Sequence, residues 1–563
     1  QPNEVQVTDL LGDGTACLVW SSPLLKEAMR PLRYVRLMAD GKPWLLRGTD
    51  NGRGRTTAME YTPSTAYYLE DRRAGTPWAT RLPFPVHCLS RVESTDAVTG
   101  WRFASRYAYH HGYFDGHQRE FRGFGMVEQW DAESVGDYDD PLKADDDLVV
   151  QLPHVRSKSW FHTGAWQDGA TLTAAFAAEY TDADPDAHAL SEPTVPAALS
   201  PAELREAHRA LKGRLLRRES YSEDDDGNLA ILYTTATSTY DVVLLQPADG
   251  ERPASFRVDA TESIQAAYEL ELATGVADPR VSHSVVLEVD DYGTPVRTAA
   301  ISYPRRGLGH DPEQLALTVV VSETEVTHQD DRVESDDIWH LGVPVRAKSW
   351  ELTDADAWTD DGHPATADAI RDAFDTATTW SFEQTPTGAG PHRRLMGHQV
   401  TRYWNDGLSG ALDPGLLGVR SLQFDSHALA FTAPLITLIF GARVGAGELI
   451  EAGYVDLKGD GDAWIPSGSL ALDPTGFYQP LSHADPFGNT TTLTWVDGER
   501  LFVEAVEDPA LMRATATYDL HTMQPSKVTD ANGTEREATF DPLGRVLTTS
   551  IRNGGDGDAT GDN

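Results

Sequence analysis

Residues 107–131 read Tyr107-Ala-Tyr-His-His-Gly-Tyr-Phe-Asp-Gly-His-Gln-Arg-Glu-Phe-Arg-Gly-Phe-Gly-Met-Val-Glu-Gln-Trp-Asp131. Two runs at its flanks, Trp101–Tyr109 and Phe124–Trp130, alternate large and polar side chains, which is the period of a half-buried strand. Between them, Asp115-Gly116 supplies the positive backbone angle of a tight turn, and Gly123 and Gly125 permit sharp bends or close packing. Arg119, Glu120 and Arg122 lie among Phe114, Phe121 and Phe124. The expectation is a hairpin with an aromatic face, locked by an Arg/Glu network whose three heads are partly buried and make at least one close ion pair or a backbone bond from an Arg.

Outward from this cassette the chain reads mainly as strands. Upstream these are Leu32–Leu37, Trp44–Arg47, Thr56–Tyr61, Ala66–Leu69 and Val86–Val92, with turns at Asp40-Gly41, Asn51-Gly52 and Ala74-Gly75. Downstream, Val242–Pro247, Leu315–Glu323 and Val343–Leu352 are strands, and Asp131–Asp147 is an exposed acidic loop. Ser200–Leu216 reads as a helix, with Ser200 as N-cap, Pro201 in the first position and Glu203 closing a capping box. Ala365–Phe374 and Ala433–Phe440 read as short helices. Val281–Tyr303 is a hairpin turning at Asp290 to Gly293. The same Asp-x-x-Gly grammar returns at Asp485 to Gly488, Asp530 to Gly533 and Asp541 to Gly544. In such turns Asp accepts backbone amides a few residues on, and Gly takes the left-handed position.

The run Gly112, Asp115, Gly116, Arg119, Glu120, Phe121, Arg122, Gly123, Phe124, Gly125 resembles the signature of the B subunit of bacterial insecticidal toxin complexes (Tc toxins), shared with proteins carrying an SpvB-type N-terminal domain. Lys212–Arg217 is similar to the Lys-Gly-x-Leu-Leu-Arg segment of that family. Asp541–Val546 resembles the Rhs/YD repeat, with Phe540 in place of the usual Tyr. Gln6–Trp20 is similar to an integrin-type propeller repeat. There Asp9 and Asp13 remain, but Leu11 and Cys17 stand where a calcium loop carries oxygen ligands. Lys458 spoils the acidic loop of Asp456, Asp460 and Asp462 in the same way. Calcium is expected at neither loop.

Composition narrows the function. The formal net charge of −40 over 563 residues argues against binding nucleic acid or an anionic membrane. Lysines are few, and an acidic, Lys-poor surface fits either a high-salt proteome or a high-GC genome. No apolar run reaches the length of a membrane-spanning helix; Ala428–Phe440 is too short. The chain starts without a secretory leader and ends in a polar, glycine-rich tail, as expected for a piece of a longer protein. Cys17 and Cys88 sit in apolar strand-like runs and read as buried thiols.

No chemistry stands out. His110 and His111 on a strand point to opposite faces, so with Asp115 and His117 they make a poor metal site. The carboxylate runs at residues 145–147 and 224–226 read as solvated loops. No nucleophile elbow, phosphate loop or zinc-protease helix occurs. Asp541-Pro-Leu-Gly is similar to an aspartyl self-cleavage motif but reads as an ordinary repeat turn. Catalytic, cofactor-binding and metal residues are therefore assigned to none.

The resemblance implies a mainly β fold: a Rhs/YD-repeat-like spiralling antiparallel sheet forming a shell, or cocoon, with a few short helices, preceded by the last strands of a β-propeller. The layout it implies is a last-blade fragment at 1–25, a middle region at 26–330, a C-terminal region at 331–550 and a flexible tail at 551–563. It further implies a secreted, non-catalytic subunit that encloses a cytotoxic effector together with a C-type subunit and docks through its propeller on an A-type pore. Two other readings share these turns: a YD-repeat surface adhesin, and a polysaccharide-active β-enzyme, against which the dispersed Trp44, Trp78, Trp160, Trp350 and Trp464 speak.

Overall fold

The computed structural model describes residues 5–21, 29, 32–38, 41–97, 102–132, 155–223, 229–268, 277–306, 310–330, 338–353, 365–498, 500–553 and 561–562. The acidic stretches at 133–147 and 224–226 and most of the tail lie outside them. The chain forms two compact units, and both are built mainly of antiparallel β-structure with a few short helices.

The first unit comprises residues 1–286, 300–317 and 358–366. Val5–Thr8 (β1), Cys17–Ser21 (β2) and Leu32–Arg36 (β3) form a three-stranded antiparallel sheet. β1 and β2 pair as a hairpin across the segment similar to a propeller repeat, and β3 continues the sheet past residue 25. A long meander follows: Gly48–Asp50 (β4), Arg55–Pro63 (β5), His87–Asp96 (β6), Arg102–Asp115 (β7), Glu120–Ala132 (β8), Val155–Phe161 (β9), Leu215–Glu223 (β10), Leu229–Gln246 (β11), Ser255–Ala267 (β12) and Arg280–Val289 (β13). Each strand runs antiparallel to the next.

Three helices cover this meander: Ser64–Ala74 (α1), Gly169–Ala177 (α2) and Pro201–Ala210 (α3). α3 carries the expected capping box, in which the Ser200 hydroxyl accepts the Glu203 amide and Glu203 accepts the Ser200 amide. It ends at Ala210 rather than Leu216, because Leu215 and Leu216 already belong to β10. Beneath α2 lies a core of Met126, Trp160, Leu172, Phe176 and Leu216, and beneath α3 one of Ala207, Leu211, Tyr240 and Val242.

Several local expectations fail. Ala66–Leu69 is no strand but the middle of α1. Pro63 presets the entry angle, Ser64 is fixed by accepting the Val86 amide, and Gly75 closes the helix in the left-handed conformation. The tyrosines at 61, 67 and 68 imitate strand alternation, while Tyr67 in fact buries one helix face and donates to the Tyr107 carbonyl. Trp44–Arg47 forms no strand either; Trp44 is fully exposed at positive φ, and pairing begins at Gly48. Leu315 closes a short 3-10 turn, Pro312–Leu315, before the next strand starts at Thr318.

The second unit comprises residues 287–299, 318–357 and 367–563. Pro295–Ser302 (β14) follows the Asp290 turn. Thr318–Asp330 (β15), Trp339–Thr353 (β16), Thr378–Trp380 (β17), His392–Tyr403 (β18), Gln423–Phe431 (β19) and Ala463–Pro466 (β20) come next. β15 pairs antiparallel with β16, β16 with β18, β18 with β19 and β19 with β20, while β17 runs parallel to β18. Ala367–Thr376 (α4), Ala433–Phe440 (α5) and Ala446–Glu451 (α6) are its helices, the first two near their expected places.

A nine-stranded antiparallel sheet then runs from Ser469–Leu472 to Gly561–Asp562. Its turns, and the Asp290 turn between β13 and β14, have the geometry expected from the Asp-x-x-Gly pattern. In each of Asp290, Asp485, Asp530 and Asp541, one carboxylate oxygen accepts the amides two and four residues on. Gly293, Gly488, Gly533 and Gly544 take positive φ in these turns. Asp508 repeats the pattern with Leu511 in the left-handed position, a copy hidden by the missing glycine.

Candidate functional site

The cassette is the β7–β8 hairpin, Tyr107 opposite Gln129 and Asp115 opposite Glu120. Its turn is only Gly116–Arg119, so Gly123 and Gly125 lie inside β8 rather than in the bend. Gly116 does not supply the positive backbone angle; Arg119 does, at φ 53°. Asp115 makes this tolerable by accepting the His117 and Gln118 amides at 2.9 and 2.8 Å. The register shifts between Gly112 and Phe114, where β8 carries one extra residue and Gly123 takes φ 94°; His111, just before it on β7, sits at φ 55°.

The aromatic face forms as expected. Phe124 packs on Tyr109 at 5.0 Å, on Phe121 at 5.5 Å and on Trp78 at 6.2 Å between ring centroids. Gly125 is required by close approach: a Cβ there would stand 2.4 Å from the Phe176 ring and 3.0 Å from the His111 Cβ. Gly125→Ala is thus expected to cost about 1–3 kcal/mol by overpacking. Thermal unfolding of the variant checks this, and an unchanged transition refutes it.

The charged lock differs from its expectation in membership. Arg119 is exposed. Arg122 is the buried member, 2 % exposed, and its first partner is Asp115 at 3.0 Å, with Glu120 at 3.5 Å. It also donates to the Gly164 carbonyl and, at 2.5 Å, to Gln118 Oε1. Glu120 points instead to α3 and the turn after it, accepting from Arg209 at 2.9 Å and Lys212 at 3.0 Å. Burial opposes the Glu120 charge, but these two cations outweigh it and hold its pKa below the ordinary value. Gln118 bonds Glu206 of α3. The cassette turn is therefore tied to α3 on two sides.

The two histidines serve separate networks. His110 Nδ1 lies 2.7 Å from Asp71, which also accepts from Trp78 Nε1 at 2.6 Å. Its other nitrogen is 3.8 Å from Glu128. Burial disfavours the imidazolium, yet the carboxylates on both sides prevail and raise its pKa to about 9. Glu128 is held by Arg156 at 2.8 and 2.9 Å. His111 accepts the Ala79 amide and lies 2.8 Å from Glu179, which takes the Trp160 indole N–H at 3.0 Å.

Sequence reasoning missed Glu219, fully buried on β10 between Arg217, the Thr181 amide and the Tyr221 hydroxyl. Only its strand phase, on the same face as Arg217 and Tyr221, hinted at it. Cys17 and Cys88 are buried free thiols, and burial pushes the Cys88 thiol up to about 12. The Asp9 carboxylate accepts the Asp13 and Gly14 amides, Asp13 pairs with Arg36 at 2.8 Å, and Asp456 accepts the Gly459, Asp460 and Gly461 amides. The loops read as calcium-like thus spend these oxygens on their own backbone and on an arginine. Among the described residues no group of three or more His, Cys, Asp or Glu side chains is placed to hold a metal ion, and no helix is long and apolar enough to cross a membrane.

Long antiparallel strands, Asx-capped turns and an arginine sealed in a hairpin define a β-meander protein built around ionic locks. Comparison with known families makes this specific. Residues 1–164 match the insecticide toxin TcdB middle/N-terminal region, and residues 206–342 match the insecticide toxin TcdB middle/C-terminal region. The chain is similar throughout to solved structures of TcdB2-TccC3, at 24% identity and a TM-score of 0.78 over 98% of this chain and 26% of that one. A TcdB2-TccC3 structure without the hypervariable C-terminal region gives 25% identity and a TM-score of 0.78, again over 98% and 26% of the chains. The Photorhabdus luminescens Tc holotoxin pore gives 24% and 0.77 over the same shares. No curated protein matches. The chain belongs to the Tc toxin B-subunit-like family, and it spans about a quarter of the length of the solved chains it matches.

Proposed function

We propose that this chain is a non-catalytic, structural part of a secreted Tc-type toxin. In this reading it forms with a C-type subunit a hollow β-shell that encloses a cytotoxic effector, and a propeller docks the assembly on an A-type pore for translocation. The observation that carries the reading is the likeness of nearly the whole chain to solved TcdB2-TccC3 structures; likeness to a Tc holotoxin pore supports the A-type partner. The sheet from Ser469 to Asp562 supports the Rhs/YD component, since its Asx-capped turns extend a strip one short strand at a time. β1 and β2, within residues 1–25, are read as the end of the propeller, with the middle region at 26–330, the C-terminal region at 331–550 and a tail beyond.

The physics suits a container. A long antiparallel strip pairs its backbone groups along its length and leaves few open edges, and an enclosed guest chain needs no specific chemistry from the wall. Val546, Leu547 and Ile551 on the strand Val546–Asn553 are more than half exposed, which supports a partner surface there.

Co-expression with a C-type subunit from the same source is expected to yield one soluble complex in which the C-terminal effector resists added protease. Cross-links should concentrate around Phe540–Ile551. A chain that stays monomeric beside that partner, or that hydrolyses a glycan alone, would sink the reading.

A further inference from the structure

A cavity of about 370 Å³ lies in the first unit beside the cassette, walled by α2, by α3 and by the segments around Gly164 and Val195. Its wall is largely apolar, with Leu172, Phe176, Leu211 and Leu216, yet it includes two imidazoles, His162 and His208. Nε2 of His162 is sealed from solvent and has no hydrogen-bond partner among the described residues, and its ring meets Tyr240 edge-on at 6.1 Å. Such a nitrogen has nothing to stabilise a proton. The backbone fit is tight as well: a Cβ on Gly164 would stand 3.1 Å from the His208 carbonyl and 3.2 Å from the Arg209 Cα.

We propose that this imidazole pair is an acid-sensitive latch: protonation of His162 and His208 drives α3 away from Gly164 and so releases the cassette turn. The charges around the pair favour this outcome. α2 offers no titratable side chain. From α3 come Arg205, stacked over Trp166, and Arg209, engaged by Glu120 and Glu206. Lys212 is also paired with Glu120, and Arg214 lies over Tyr240. Glu192 is the carboxylate on the cavity wall. A new proton therefore enters a largely apolar space, walled by one carboxylate, Glu192, while the nearby Arg209 and Lys212 are already paired. Burial already pushes the His162 pKa down to about 4, with His208 adding to the effect, and burial lowers His208 too.

The lever is short. Gly164 accepts from Arg122, and α3 with the turn after it holds the cassette through Glu206 to Gln118 and through Arg209 and Lys212 to Glu120. Groups with depressed folded-state pKa withdraw stability as pH falls below the unfolded value near 6.5. With His162 at about 4 in the closed state, opening should rise roughly 20-fold between about pH 7 and about pH 5 from that residue alone.

Two measurements on the full chain decide it. Deuterium exchange at histidine C2 positions should show His162 and His208 titrating below ordinary histidine, and amide exchange, corrected for intrinsic pH dependence, should show α3 opening on acidification. In the His162→Gln/His208→Gln variant the acid-induced opening of α3 should shrink to a few-fold at most. Histidine midpoints at or above the ordinary value, or undiminished acid opening in the variant, overturn the proposal. If the variant does not fold, the wild-type midpoints and the α3 exchange profile decide alone.

Discussion

Arg122→Met is expected to lower the stability of the first unit by about 3–5 kcal/mol, the cost of breaking a buried ion pair from one side. The guanidinium side chain is 0 % exposed, and Asp115, 12 % exposed, sits 3.0 Å from it. Removing the arginine strands that carboxylate and takes the donor from the Gly164 carbonyl. Asp115 would keep only the His117 and Gln118 amides. Methionine fills most of the volume, so the loss reports charge and hydrogen bonding more than a cavity. Glu120→Ala should cost far less, at most about 1 kcal/mol, because its partners Arg209 and Lys212 are themselves well exposed. Urea unfolding followed by amide exchange on β7 and β8 reads this unit separately from the second. Equal losses in the two variants would contradict the assignment of Arg122 as the sealed member of the lock.

The acid limb of stability is expected to depend on Glu128. Its side chain is 7 % exposed. Burial works against the charge, but His110, Arg156 and Lys158 overcome it and lower its pKa to about 2. A carboxylate depressed from 4.5 to about 2 supplies on the order of 3 kcal/mol. That contribution is present above the unfolded pKa and is lost as pH falls from the unfolded value through the folded one. His110 gives the opposite limb. Its folded pKa is raised to about 9, so its contribution is full below the unfolded value near 6.5 and fades as pH rises through the folded one. The two share one contact and do not add. Glu128→Gln should lower stability at neutral pH and flatten the loss on acidification below about pH 4.5. An acid limb identical to that of the parent chain would show that Glu128 does not carry it. This window lies below most of the one in which the His162 and His208 pair acts, so the two effects separate by pH.

What could be read directly from the sequence was local. The capping box at Ser200 and Glu203, the helix Ala433–Phe440 between its proline and glycine, and the Asp-x-x-Gly turns all close within about five residues. Each needs only the intrinsic preferences of neighbouring side chains and backbone. The cassette was legible as an aromatic hairpin for the same reason, and its long motif was enough to point to the family.

The membership of its lock was decided by tertiary structure. Arg119, Glu120 and Arg122 are equally placed charges on paper, all among the same phenylalanines. Strand phase and the packing of Gly164 bury only the last, while Asp115, read merely as a turn residue, becomes its counter-ion. Glu219, His110 and His111 likewise take their character from partners brought in by other elements. The failure at Ala66–Leu69 has the same origin. Its tyrosines imitate a strand, and the helix is held by the Val86 amide and the Tyr107 carbonyl, which only the folded chain brings near. Local hydrogen bonding sets turns and caps; burial and distant partners select which charges pair and which backbone state a neutral segment adopts.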